Sequence, residues 1–189
     1  MNLGQMMLVL LALILLGNLV LNSNGTIIET TDVINTSEID IAAVSIATSL
    51  VEEATGKLFD EAITLPAYTA LTDVTQLSTT LAKDGGEKYR DTTAAFEDFD
   101  DVDDFNGLFI VYKSDLPSDS LATPGADWEF KVKDIRAKYF VRTKVVYVEA
   151  TNLDGVSSVR TWHKKLTVTV TSPTSKDTLN FPAIMSYWN

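Results

Sequence analysis

An α+β fold, one long N-terminal helix (an apolar stalk plus an amphipathic half) packed by a C-terminal antiparallel sheet of four or five strands, is predicted by three features of this 189-residue chain. An almost unbroken apolar run, Met6-Met7-Leu8-Val9-Leu10-Leu11-Ala12-Leu13-Ile14-Leu15-Leu16, continues through Leu19-Val20-Leu21. Behind it, apolar residues recur at spacings of three, four or seven, the stripe of an amphipathic helix. From Leu108 onward the period changes to two, the mark of half-buried strands. Helical and strand patterns are segregated along the chain, as in α+β domains.

The apolar run is long enough to cross a bilayer, since about 20 residues rising 1.5 Å each match a hydrocarbon core of roughly 30 Å. Its flanks are unusual. The first basic residue is Lys57, so neither the Lys/Arg n-region of a signal peptide nor the basic cytoplasmic flank of an anchor is present. Gly17-Asn18 and Asn22-Ser23-Asn24-Gly25 interrupt it, and glycine costs a helix about 1 kcal/mol relative to alanine. A loosened stretch between Gly17 and Gly25 is therefore expected. From Ile27 to about Phe59 the stripe comprises Ile34, Ile41, Val44, Ala47, Leu50, Val51, Ala54 and Leu58, with small residues such as Ala42, Ala43 and Ser49 permitting close helix approach.

Pro66, a Thr/Leu-rich stretch and Lys83-Asp84-Gly85-Gly86 make residues 60–107 an irregular, acidic region with at most one short helix. Strands follow at Leu108–Tyr112, Trp128–Lys133, Tyr139–Val148 and Thr161–Thr171, with a turn at Asn152-Leu153-Asp154-Gly155. In the fourth, Leu166, Val168 and Val170 share one face and Thr167, Thr169 and Thr171 the other. Pro182 makes the last run, Thr178 to Trp188, an edge strand, because proline cannot donate to a ladder. The organisation is thus a stalk (1–25), the amphipathic half of the helix (26–59), the irregular region (60–107) and a β head (108–189).

A net charge of −11 argues against nucleic-acid binding, which needs clustered Lys and Arg. The absence of cysteine excludes a disulfide framework, a thiolate metal site and a cysteine nucleophile. His163, the one histidine, precedes Lys164-Lys165 in a strand and reads as an exposed residue beside a basic patch. With no nucleophile elbow in the chain, no enzymatic activity is expected. Asn24-Gly25-Thr26 and Asn35-Thr36-Ser37 fit the glycan-acceptor pattern but fall beside or within the helix.

Residues 97–104 hold six acidic side chains in eight positions. Such crowding suits a hard cation, and Ca²⁺ takes six to eight oxygen ligands. Asp98, Asp100, Asp101, Asp103, Asp104 and Asn106 are the candidates, although the spacing is not that of an EF-hand loop. The plainer expectation is a solvated acidic turn anchored to the core by Phe99, Val102 and Phe105 at every third residue. No other cofactor is expected. Trp128, Trp162, Tyr187 and Trp188 read either as a sugar- or surface-binding set or as core and interface packing.

An apolar helix that runs on into a small α+β head resembles the type IV pilin and pseudopilin superfamily, in particular MSHA-type minor pilins. The likeness is carried by Met1-Asn2-Leu3-Gly4-Gln5 and the run after it, by Ala42 to Ala54, and by Phe99-Asp100-Asp101-Val102-Asp103-Asp104-Phe105-Asn106-Gly107. It implies a helical filament in which Met1 and the fifth residue join neighbouring subunits. The family usually carries Glu there, and Gln5 supplies an acceptor without charge. Processing after Gly4 would instead put Val9 at that place.

The physical case for assembly runs parallel. Exposed apolar surface costs about 25 cal/mol per Å², so the stalk is buried in lipid or against identical stalks. A head-to-tail interface that does not close generates a filament. Met6, Leu8, Leu10, Leu13, Ile14, Leu16 and Leu21 are the expected filament core, which the lack of early cations keeps free of buried charge. The expected function is a structural subunit of an extracellular type IV pilus-like filament, inserted in the inner membrane before assembly. Its expected partners are copies of itself, other pilins and inner-membrane assembly machinery. A minor pilin or pseudopilin of a secretion system, and a single-span ectodomain binding Ca²⁺ or another ligand, are the alternatives.

Overall fold

The computed structural model describes residues 2–64, 71–83, 85, 87, 99–117, 122–133, 135–175 and 177–188. Its first element, helix α1, spans Leu3–Thr55, 53 residues. The chain divides into two units, Met1–Ile41 and Ala42–Asn189.

The first unit is helix alone, and the loosening expected between Gly17 and Gly25 does not occur. Propensity predicts the wrong outcome there because a helix broken at Gly17 must be nucleated again. Nucleation constants near 10⁻³ make that cost about 4 kcal/mol, more than two glycines forfeit. In the polar stretch behind it the hydroxyls turn inward onto the helix's own carbonyls. Thr26, Thr30, Thr31, Thr36 and Ser37 donate to the carbonyls four residues back, at 2.8 to 3.1 Å.

In the second unit, the final turns of α1 pack through small residues. Ala43, Ala47, Leu50 and Ala54 are buried, at the spacings four, three and four of a helix face. The predicted stripe is thus out of phase at several places: Ile41 and Val44 are exposed, and Leu58 lies beyond the helix end at Thr55. Bulk drew the prediction to Ile and Val, whereas close approach favours Ala. A cleft lined by Ser45, Ile46, Ser49, Tyr112, Val132 and Ile135 runs between this segment and one end of the sheet.

Five strands form that sheet: β1 (Phe109–Ser114), β2 (Trp128–Val132), β3 (Tyr139–Tyr147), β4 (His163–Thr171) and β5 (Thr178–Ser186), in the order β2-β1-β3-β4-β5. Every predicted strand is present, and β5 is an edge whose Pro182 stands opposite Thr167. The sheet is mixed rather than wholly antiparallel, because β2 pairs with β1 in parallel, Ile110 opposite Trp128. Residues 115–127 connect the two, about the dozen that a parallel crossover requires. Burial alternates as predicted, with Tyr139, Val141, Thr143, Val145 and Tyr147 of β3 inward beside Lys164, Leu166, Val168 and Val170 of β4.

Between helix and sheet the described residues hold three single 3-10 turns, Glu61–Ile63, Val74–Gln76 and Asp103–Phe105, where at most one short helix is predicted. Asp60 and Asp73 cap the first two through their side chains. The acidic loop is tied to the end of α1: Leu58 N–H donates to Asp100 O and Val102 N–H to Leu58 O, both at 3.0 Å. Phe99, Val102 and Phe105 are buried as expected, the two rings meeting edge to face at 5.2 Å. Gly107 closes the loop at φ +79°, a left-handed conformation that glycine adopts without strain. Phe105→Ala is expected to cost the head about 3–5 kcal/mol, read as a lower urea midpoint at unchanged slope.

Candidate functional site

Two features stand out, one in each unit. The first is the bare surface of the stalk. Met6, Leu8, Leu10, Leu13, Ile14, Leu16 and Leu21 are all exposed, from 50% for Met6 to 71% for Leu21. The first charged side chain is Glu29. Helix α1 is long and apolar enough to cross a membrane. Gln5 lies in its first turn, where its Oε1 accepts from Asn2 N–H at 3.4 Å; Met1 falls outside the described residues.

A second pattern runs the length of this unit. Met6, Leu13, Val20, Ile27, Ile34 and Ile41 follow one another at intervals of seven, and each is at least half exposed. The row supplies one of the two apolar positions of a helix-packing heptad, and the other is apolar at Val9 and Leu16 before turning polar at Ser23, Thr30 and Ser37.

The second feature is a charge centre buried within the head. Lys164 shares the inward phase of Leu166, Val168 and Val170, so strand geometry carries its ammonium into the core, where it is fully buried. Its Nζ donates to Phe59 O at 2.8 Å, Asp60 Oδ2 at 2.7 Å and Asp103 Oδ1 at 2.6 Å. The Phe59 and Tyr147 rings lie 4.6 and 5.3 Å from it. Lys164 is therefore not part of a surface basic patch with Lys165.

Asp60 is held on all sides. Its Oδ1 accepts from Ala62 N–H, Ser78 N–H and the Ser78 hydroxyl, and its Oδ2 also accepts from the Tyr147 hydroxyl at 3.2 Å. Burial works to raise its pKa, but Lys164 and these donors bring it below the ordinary value. Burial and the neighbouring Asp60 raise the pKa of the Tyr147 phenol, so it stays a donor.

Asp101, Asp103 and Asp104 are also buried, which corrects the expectation of a solvated turn. The loop folds inward because its carboxylates serve its own backbone. Asp101 Oδ1 accepts from Asp103 N–H at 2.7 Å and Asp104 N–H at 3.2 Å, while Asp104 Oδ2 accepts from Asp100 and Asp101 N–H. The Lys164 ammonium contacts two of the four buried carboxyls, those of Asp60 and Asp103. Burial, then repulsion from Asp103 and Asp104, pushes Asp101 up to about 8. Burial raises Asp103 to about 6 against the pull of Lys164. Among the described residues, Asp101 Oδ2 and Asp103 Oδ2 are buried with no hydrogen-bond partner.

A pH dependence follows. Asp101 has a folded-state pKa of about 8 against an ordinary 3.8, so the folded head binds the extra proton between those values. Its contribution is present at low pH and lost as pH rises through about 8; that of Asp103, while it is a free carboxyl, is lost through about 6. Asp60, shifted downward, acts oppositely and only in acid. The melting temperature is expected to fall between about pH 5 and pH 9, and Asp101→Asn, which fixes the neutral form, is expected to flatten that decline. Thermal melts across the range read both.

The six candidate cation ligands are not brought together. Asp98 lies outside the described residues. Asp101 and Asp103 face inward, and Asn106 is occupied, its Nδ2 donating to Leu81 O and its Oδ1 accepting from Val145 N–H. Asp100 and Asp104 instead lie with Glu87 in a group whose carboxylate oxygens fall within 4.8 Å of one another. Three such oxygens are half the number Ca²⁺ takes at the least.

The aromatic set is divided. Trp128 sits in β2 near Phe130, whereas Trp162 stacks on Tyr187 at 5.3 Å, and the Tyr187 hydroxyl accepts from Leu71 N–H. Trp188 is 85% exposed at the rim of a cleft that also includes Thr72 and His163. His163 is half buried rather than exposed, with Nδ1 2.7 Å from Ser186 Oγ. Among the described residues no carboxylate hydrogen-bonds that imidazole, so the orienting third group of a triad is not assembled there.

An α+β head on an apolar helix is the class of protein that fold and surface define. Comparison with protein-family models, with curated proteins and with solved structures returns no match.

Proposed function

We propose that this chain is a structural subunit of an extracellular type IV pilus-like helical filament, assembled through α1. The observation that carries this reading is the exposed seam of sevens from Met6 to Ile41. A helix of that length is about 54 Å long at 1.5 Å per residue, well beyond the roughly 30 Å of a hydrocarbon core. Lipid covers the apolar run of the stalk. It does not reach Ile27, Ile34 and Ile41 as well, and these need a protein partner. Identical helices, staggered along an axis, present the same seam to one another.

In this reading the membrane stores subunits before assembly, and the filament core replaces lipid with neighbouring stalks. The filament then also draws on other pilins and on inner-membrane assembly machinery. With no charge before Glu29, the segment moves between two apolar surroundings without desolvating an ion. The acidic heads, net charge −11 for the chain, form a solvated sheath. A lone spanning ectodomain accounts for the run to Leu21 but leaves the lower seam uncovered.

Shearing intact cells and viewing the released material by electron microscopy tests the proposal. Filaments that contain this chain are expected. Recovery of the chain in the membrane fraction alone, from cells bearing no filaments of it, contradicts the proposal.

A further inference from the structure

We propose that Lys164 and Asp103 become joined by an intramolecular isopeptide bond, an amide between Nζ and Cγ that staples β4 to the acidic loop. The parts of the reaction are in place. Nζ stands 2.6 Å from Asp103 Oδ1, and with a C–O bond of about 1.2 Å the carbonyl carbon lies no more than about 3.8 Å away. That is close to the roughly 3–3.5 Å of a near-attack arrangement. Asp60 Oδ2 holds the same nitrogen from another side at 2.7 Å. The Phe59 and Tyr147 rings line the site, and Lys164 and Asp60 have no exposure to solvent.

Asp103 rather than Asp60 is the carboxyl that reacts. Both oxygens of Asp60 accept hydrogen bonds from Ala62, Ser78 and Tyr147, which stabilise it as a carboxylate and make it a poor electrophile. Asp103 Oδ2 is buried and meets no partner among the described residues, so it is the oxygen free to leave.

The step balances within the site. The Lys164 ammonium passes one proton to the Asp103 carboxylate, leaving an amine and a carboxylic acid. The amine attacks Cγ and the C–N bond forms. Asp60 takes a second proton from the nitrogen and returns it to the departing hydroxyl, the C–Oδ2 bond breaks, and one water leaves. No oxidant or co-reactant is consumed. A buried ammonium and a buried carboxylate are replaced by a neutral amide, and Asp60 keeps its neutral donors Ala62, Ser78 and Tyr147. Exclusion of bulk water then protects the amide from hydrolysis. In a chain without cysteine, this is a route to a covalent staple across residues 103–164 that disulfide chemistry does not offer.

The inference does not rest on the filament reading. Intact-mass spectrometry of the full-length, denatured protein tests it. The wild type is expected to be lighter than its sequence by one water. A tryptic digest is expected to contain one branched peptide carrying residues 103 and 164, with no cleavage after Lys164. Lys164→Arg and Asp103→Ala are each expected to restore the full mass. A wild type at full mass overturns the proposal. So does a water loss that persists in Lys164→Arg and maps to an aspartyl-glycine pair, 84–85 or 154–155, where succinimide formation gives the same deficit.

Discussion

Lys164→Met unfolds or expands the head at neutral pH. Relative to the chain before any amide joins Lys164 to Asp103, the substitution keeps much of the side-chain volume but strands Asp60 and Asp103 in the core without their shared cation. Breaking a buried ion pair from one side costs about 3–5 kcal/mol. Against a total stability of about 5–15 kcal/mol, that is enough to lower the urea midpoint sharply or abolish the transition. The cost comes from uncompensated charge rather than lost packing, and a companion variant separates the two. Adding Asp60→Asn and Asp103→Asn to Lys164→Met removes both charges while the amide oxygens still accept from Ser78 and Ala62, so most of the lost stability returns. If the triple variant is no better than the single one, packing around Lys164 is what matters. Urea denaturation followed by tryptophan fluorescence reads all three proteins.

Leu13→Lys abolishes assembly and leaves the head folded. Leu13 lies on the seam of sevens and on the apolar run, so in a filament its replacement buries a cation with no partner among uncharged neighbours. At the centre of a spanning helix the exchange costs about 3 kcal/mol, which the rest of the apolar run outweighs, so membrane insertion survives. Packed against other stalks the ammonium cannot snorkel to water, and the penalty recurs at every subunit. Leu13→Met, which keeps the volume, is expected to assemble normally. Filament yield in the sheared fraction, membrane yield, and the urea midpoint of the head together distinguish failed assembly from failed insertion or folding.

Much of the fold was legible in the chain. The switch from helical spacing to alternation near Leu108 marks where helix gives way to sheet, and Pro182 marks an edge. What escaped has physical causes. The parallel pairing of β2 with β1 is a tertiary choice that local pattern does not encode. The continuity of α1 through Gly17 and Gly25 reflects cooperativity, which residue-by-residue propensity ignores. The predicted stripe includes Ala47, Leu50 and Ala54 of the packing face but not Ala43, which is inconspicuous beside Ile41 and Val44.

The charge centre was half visible. Phe99, Val102 and Phe105 at intervals of three signal an anchored loop, but its aspartates are buried where carboxylates are usually solvated. The missed signal was the phase of Lys164. It stands two, four and six residues before Leu166, Val168 and Val170, on the face that had to be buried, whereas its neighbour Lys165 falls on the other. A lysine in the inward phase of a strand demands buried acids, and the six-in-eight acidic loop supplies them. Asp60 carried no such signal, since only the folded chain brings it beside β4.

In the proposed filament, stalks pack against stalks. Helical reconstruction of filaments sheared from cells, with the density traced through α1, measures that most directly. An axial core of staggered helices is expected, with Met6, Leu13, Val20, Ile27, Ile34 and Ile41 covered by neighbouring copies and the heads outside. A filament whose subunits touch only through their heads, with the Met6–Ile41 seam still bare, contradicts it.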